Sequence, residues 1–164
     1  MLLREAIVDD LADIAQVCRA IVDEGETYAY PEDLSDAQIA QAWLPPPPWH
    51  AVVAYAADGT FLGTATVGPN RPGRGDHVAN ASFMVAAAAR GRGVGRALAE
   101  HVLQWATEQG FAAMQFNAVV QTNTAAVALW QSLGFRIVGT APGAFRSRRH
   151  GLVGLHVMYR ELRP

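Results

Sequence analysis

The stretch Arg90-Gly91-Arg92-Gly93-Val94-Gly95-Arg96 constrains the fold more than any other feature of the chain. It follows an apolar run, Val78 to Val85, that reads as a strand. It opens a segment in which Val94, Leu98, Val102 and Trp105 recur at helical spacing. Glycines at a strand-to-helix junction let main-chain N–H groups turn toward one point, and the helix start adds the positive end of a dipole. Such a turn suits a phosphate or pyrophosphate, and three arginines add attraction and direct contacts. The competing reading of this segment alone is a glycine-rich connection carrying ordinary surface arginines.

Spacing separates the phosphate-loop alternatives. The dinucleotide fingerprint needs glycine at first, third and sixth positions; counted from Gly91 the sixth is Arg96, and no acidic residue follows about 20 residues later to hold a ribose. All 13 basic residues are arginine, so the phosphate-binding lysine of a Walker A loop is missing, and Schiff-base chemistry is excluded with it. What remains is an Arg/Gln-x-x-Gly-x-Gly/Ala turn, which Arg90, Gly93 and Gly95 fit.

The other elements can be read around this junction. Leu2 to Val8 reads as a short strand, and Asp9-Asp10 as the N-cap of a helix with Leu11, Ile14, Ala15, Cys18, Ile21 and Val22 on one face. Ser35 caps a second helix that Pro45-Pro46-Pro47-Pro48 stops, and the four prolines read as an extended spacer. His50 to Ala57 and Phe61 to Val67 are strands joined by the Asp58-Gly59 turn, followed by a loop over Gly68 to Gly75. Beyond the glycine turn, Ala113 to Val120 is a strand, and Ala126, Leu129, Trp130 and Leu133 mark a helix closed by Gly134. Arg136 to Thr140 and Val153 to Leu162 are strands around an arginine-rich loop. The order predicts an α/β (α+β) domain, a mixed sheet flanked by about four helices, with residues 1–164 as a single domain.

Composition narrows the function classes. A formal net charge of -2 excludes a uniformly basic nucleic-acid binder, and no apolar run is long enough to span a membrane, so neither partner is expected. The first residues lack the charged start and apolar run of a signal peptide, and the single cysteine, Cys18, falls on a core face, so a cytoplasmic protein is expected. The five histidines show no metal-ligand spacing, and no metal is expected. The charge is nevertheless polarised: ten of the 15 acids lie within the first 36 residues, and 11 of the 13 arginines lie beyond them.

The glycine turn resembles that of the GCN5-related N-acetyltransferases, the GNAT superfamily. A second stretch strengthens the resemblance: Asn123, Ala126, Leu129-Trp130 and Leu133-Gly134-Phe135 are similar to the family's Asn-x-x-Ala-x-x-Leu-Tyr-x-x-Leu-Gly-Phe helix. The resemblance covers Val78 to Phe135 most clearly. It implies the GNAT fold, a mostly antiparallel sheet with a splay between the fourth and fifth strands, and acetyl-CoA as co-substrate. It also implies that the amides from Arg92 to Arg96, with Arg90, Gly91, Gly93, Val94 and Gly95 in the turn, hold the pyrophosphate. Main-chain groups of Met84 and Val85 would pair with the pantetheine arm, with an N–H near Val85 as donor to the thioester oxyanion, and Asn123 would contact the arm.

Trp130 stands where the family often has the tyrosine taken to protonate the departing thiolate. An indole N–H is no usable acid at neutral pH, so Trp130 is either a wall of the cofactor channel or core packing. Asn80 and Asn117 interrupt apolar strands. With Phe116-Asn117-Ala118-Val119-Val120 and Thr122-Asn123 they resemble a smaller group that includes fungal acetyltransferases of proline analogues such as azetidine-2-carboxylate, where asparagines on these strands contact the imino acid. Their bland alternative is satisfying strand edges. Glu24 and Glu26, with Tyr28 and Tyr30, fall where the resemblance puts the substrate mouth, which makes Glu26 a candidate to orient or deprotonate the amine. Arg146, Arg148, Arg149 and His150 attract a carboxylate or form a solvated basic loop. The resulting expectation is acetyl transfer to a small-molecule amine, an amino or imino acid, with a homodimer by family analogy. The alternatives are a protein or peptide N-acetyltransferase and a non-catalytic acyl-CoA sensor.

Overall fold

The computed structural model describes residues 1–162. Seven strands form one sheet in the order β1-β2-β3-β4-β5-β7-β6. They are β1 (Leu2–Glu5), β2 (His50–Tyr55), β3 (Phe61–Pro69), β4 (Val78–Val85), β5 (Ala113–Val120), β6 (Arg136–Ser147) and β7 (Gly151–Glu161). Four helices, α1 (Leu11–Glu24), α2 (Asp36–Trp43), α3 (Val94–Glu108) and α4 (Thr124–Ser132), connect and cover them. Every pairing is antiparallel except β4 with β5.

The sheet buries both faces through the two-residue alternation of its strands. Val52 and Ala54 pack with Leu98 and Val102 of α3, whereas Val53 between them packs with Ile14, Cys18, Ile39 and Trp43 of α1 and α2. On β4, Ala79, Ala81, Phe83 and Val85 face the α3 side and Met84 faces α1 and α2. Leu98 is fully buried, so truncating it to alanine is expected to cost about 2–5 kcal/mol. Cys18 is the predicted core residue, and burial pushes its thiol pKa up.

Helix boundaries follow local chemistry. Gly25, in the left-handed region at φ 69°, ends α1 and donates its N–H to the Val22 carbonyl. Ser35 Oγ accepts the Gln38 N–H at 3.3 Å while Gln38 Oε1 accepts the Ser35 N–H at 2.9 Å, a reciprocal cap that starts α2.

Several expectations change. The first strand ends at Glu5, because the Asp10 carboxylate accepts the Ile7 N–H at 2.8 Å and draws Val8–Asp10 into a 3-10 turn, leaving Val8 exposed. That bond also means Asp10 precedes α1 without capping it through its side chain. The proline run is not an extended spacer: it turns, with a cis Pro47-Pro48 bond and the Trp49 N–H bonded to the Pro46 carbonyl at 3.2 Å. Trp49 then lies over Gly68, where a Cβ would fall 2.3 Å from the indole, so Gly68 continues β3 instead of opening a loop. Finally, β6 and β7 form a hairpin far longer than expected, and its turn is only Arg148–His150. A register shift between Ala141 and Phe145 carries the ladder past Pro142-Gly143, which in sequence reads as a strand end.

Candidate active site

The parallel pairing of β4 and β5 covers only Val78 with Ala113 and Ala79 with Met114. Beyond Ala79 the two strands part, and a cleft of about 940 Å³ opens between them. In an antiparallel ladder the N–H and C=O of one residue point to the same side, and successive residues alternate. Residues 77 and 79 of this segment serve the β5 side, so Ala81, Phe83 and Val85 present their main-chain groups to the cleft. Met84, two residues on from Ser82, bonds toward β3 and offers the cleft no main-chain group by this alternation.

One of these open positions is held by a side chain. Tyr28 donates its hydroxyl to the Phe83 carbonyl at 2.8 Å and accepts the Phe83 N–H at 3.0 Å, so the phenol substitutes for a strand neighbour inside the splay. Its ring stacks on Tyr30 at 5.1 Å and meets Trp43 edge-on at 5.6 Å. Burial pushes the Tyr28 pKa up, which keeps the phenol protonated and able to donate.

At the other end, the glycine turn has the required handedness. Gly91 has φ 72° and Gly93 φ 81°, and neither would crowd an added Cβ, so backbone conformation rather than space demands glycine there. Gly93 is the N-cap of α3, and the first helical bond runs from the Ala97 N–H to the Gly93 carbonyl. The N–H groups of Val94, Gly95 and Arg96 precede that bond, which leaves a helix start of the kind that suits an anion. The arginines divide their work. Arg90 pairs with Glu24 at 2.8 Å, Arg96 bonds Ser132 Oγ at 2.7 Å, and Arg92 has no ion-pair partner among the described residues.

Of the residues singled out in the sequence, Arg92, Arg146 and Arg148 do not line the cleft, and the other predicted site residues do. Trp130 is buried in an aromatic cluster, with ring centroids 4.8 Å from both Phe83 and Phe116, so core packing and channel wall are the same role here. Asn123 caps α4 by accepting the Ala126 N–H on Oδ1 at 3.2 Å. Asn117 accepts from Gln115 at 2.8 Å and donates to Asn70 at 2.7 Å, while the Asn80 side chain has no hydrogen-bond partner among the described residues.

Glu26 accepts the Ser147 hydroxyl at 2.7 Å and the Arg149 N–H at 2.9 Å. The Ser147 bond chiefly lowers its pKa, which makes the carboxylate a weaker base than an ordinary glutamate. Thr122, quoted in the sequence only as part of a motif and given no role there, brings to the cleft wall a buried hydroxyl without a hydrogen-bond partner among the described residues. An unpaired buried donor, an unpaired strand edge and a helix start in one cleft fit a long polar arm ending in a pyrophosphate. The Tyr28 to Phe83 contact was also missed, since it joins residues 55 positions apart and leaves no local pattern.

Residues 9–135 match the acetyltransferase (GNAT) family. The chain belongs to that family. A GCN5-related N-acetyltransferase from Kribbella flavida is 57% identical, with a TM-score of 0.95 over 98% of this chain and 96% of that one. The phosphinothricin acetyltransferase of Sinorhizobium meliloti, solved in complex with acetyl-CoA, is 25% identical, with a TM-score of 0.87 over 98% of this chain and 87% of its own. The N-acetyltransferase aca1 of Schizosaccharomyces pombe is 37% identical over 91 residues, 56% of this chain. That match spans 44% of the fungal protein, less than half its length. The GNAT protein described here is thus an acetyl-CoA-dependent acyltransferase, with acetyl-CoA as its co-substrate. No helix among the described residues is long and apolar enough to cross a membrane.

Proposed function

We propose that this GNAT enzyme acetylates the amine of a small amino or imino acid by direct transfer within a ternary complex. The observation that carries this reading is the β6–β7 turn bridging one end of the cleft. The β6–β7 turn reaches across to the end of α1, where the Arg148 N–H bonds the Gly25 carbonyl at 3.2 Å and Glu26 holds Ser147. A walled pocket suits a small acceptor better than a polypeptide segment. Asn80 and Asn117, on the two parting strands, then supply amide groups that fix an amine or a carboxylate.

In this reading the helix-start amides from Val94 to Arg96 hold the pyrophosphate, and the open edge of β4 holds the arm, with Asn123 and Thr122 on the facing wall. The neutral amine attacks the thioester carbon, a C–N bond forms, and the Val85 N–H stabilises the oxyanion. Collapse breaks the C–S bond. A thiolate of pKa about 8.5 leaves without an acid at neutral pH, so Trp130 has no proton to supply. Glu26 is too acidic and too fully bonded to act as the main base; it holds the mouth, and water in the cleft takes the amine proton.

The test is thiol release from acetyl-CoA across a panel of free amines and peptides, with product masses. Proline-like amino acids should be acetylated, and Asn80→Ala and Asn117→Ala should lower activity. Full activity in both variants removes the asparagines from the site, and acetylation confined to peptides overturns the small-molecule reading.

A further inference from the structure

We infer that Arg149 is the anchor for an acceptor carboxylate, held in place by a clamp made of Glu26 and Ser147; this rests on the small-molecule reading above. The β6–β7 hairpin brings three arginines close together, and the structure separates them. Arg148 is committed to Glu32 at 2.9 Å and Asp23 at 3.6 Å. Arg146 lies on β6 and does not line the cleft. Arg149 lines it, and its guanidinium makes no ion pair among the described residues, although α1 and the loop after it are rich in acids.

The backbone beneath that guanidinium is fixed. Ser147 is buried, at 3% exposure, and its hydroxyl donates to one oxygen of Glu26 while accepting the N–H groups of Arg149 at 3.2 Å and His150 at 2.9 Å. The other Glu26 oxygen accepts the Arg149 N–H. A turn tied at four bonds carries a guanidinium that makes no ion pair among the described residues, on a cleft that Glu26, Asn80, Asn117 and His150 also line. The Glu26 carboxylate feels the Arg149 charge, but its two oxygens are spent on the Ser147 hydroxyl and the Arg149 N–H. An acceptor bearing a carboxylate beside its amine meets the guanidinium with two parallel hydrogen bonds and leaves the amine toward the strands. Glu26 is then a positioning residue, acting on the acceptor through the Arg149 backbone.

The experiment compares the whole enzyme and Arg149→Gln on matched acceptors, each amino or imino acid against its carboxamide, with kcat and KM resolved for acceptor and for acetyl-CoA. The wild type should prefer the carboxylate. Arg149→Gln should raise KM for the carboxylate acceptor about tenfold, the effect of losing a charge-assisted pair, while KM for the carboxamide and for acetyl-CoA stays put. Arg149→Lys should recover part of the preference. Glu26→Gln should raise the carboxylate KM in the same direction. Equal use of carboxylate and carboxamide by the wild type, or a preference that survives in Arg149→Gln, overturns this assignment and leaves the small-molecule reading standing. If peptides alone are acetylated, that reading falls and the carboxylate anchor falls with it.

Discussion

Two glycines of the turn, two residues apart, should respond in opposite ways to the same substitution. Gly93 sits at φ 81° and ψ 0° with no atom within 4 Å of where a Cβ would be, so Gly93→Ala meets no clash. Its cost is all backbone, about 1–2 kcal/mol for an L-residue in the left-handed region, partly offset by the stiffer unfolded chain at about 0.4–1 kcal/mol. The net loss of about 1 kcal/mol corresponds to about 2–4 °C in Tm for a chain of this size. If the turn relaxes to relieve the strain, the helix-start amides lose their common aim, and acetyl-CoA affinity drops about tenfold, the worth of one strong hydrogen bond. Gly95 lies within α3 with ordinary φ, and its Cβ would rest 3.5 Å from Leu129 Cδ2 and 3.7 Å from Val85 Cγ2, normal contact. Alanine is a better helix former by about 0.8–1 kcal/mol, so Gly95→Ala should hold or raise Tm. Thermal unfolding and titration calorimetry with acetyl-CoA measure both effects. A Gly93→Ala protein as stable and as tight-binding as wild type, or a Gly95→Ala protein equally damaged, refutes the argument that handedness governs this turn.

Further outcomes follow from the same structure. Hydrogen bonding from the Arg4 guanidinium, at 2.6 and 2.7 Å, holds the Asp10 carboxyl at about 2, below its ordinary 3.8. The resulting stability, about 1–2 kcal/mol after discounting for the half-exposed arginine, is present above that ordinary value and lost as pH falls toward 2; Arg4→Met should flatten this acid limb in pH-dependent denaturation. Tyr28→Phe strips the Phe83 N–H and carbonyl of their partner and should cost about 1–3 kcal/mol in chemical denaturation without changing the far-UV spectrum. Trp130→Phe should change kcat by less than about tenfold in steady-state assays, whereas loss of a true general acid costs about 10²–10⁴-fold.

The glycine turn and the helices beside it were legible because their signals are local. Gly91, Gly93 and Gly95 mark the turn, α3 and α4 show their apolar periodicity, and Asn123 and Gly134 bracket α4 within a dozen residues. The other end of the cleft was not, because long-range contacts build it. Tyr28 reaches Phe83, Ser147 reaches Glu26 across 121 positions, and Arg90 meets Glu24 across 66. None of these pairs leaves a pattern in either segment. The β6–β7 arm was misjudged for a related reason. Proline and glycine at 142 and 143 break the two-residue alternation, and the ladder resumes beyond them where Phe145 and Ser147 are buried and the turn bonds to the end of α1. At the N-terminus, apolar letters at Ile7 and Val8 suggested a longer strand, and a single side-chain bond from Asp10 ended it.

The central claim is that acetyl is moved from acetyl-CoA to the nitrogen of a small amino or imino acid bound in the β4–β5 cleft. Continuous thiol-release kinetics with acetyl-CoA and a panel of free amino acids, imino acids, simple amines and peptides, coupled to mass analysis of each product, tests it most directly. The account predicts thiol release that depends on a small carboxylate-bearing amine, with one acetyl group appearing on that amine. Saturable acetyl-CoA binding with no amine-dependent release, or release with peptides alone, would contradict it.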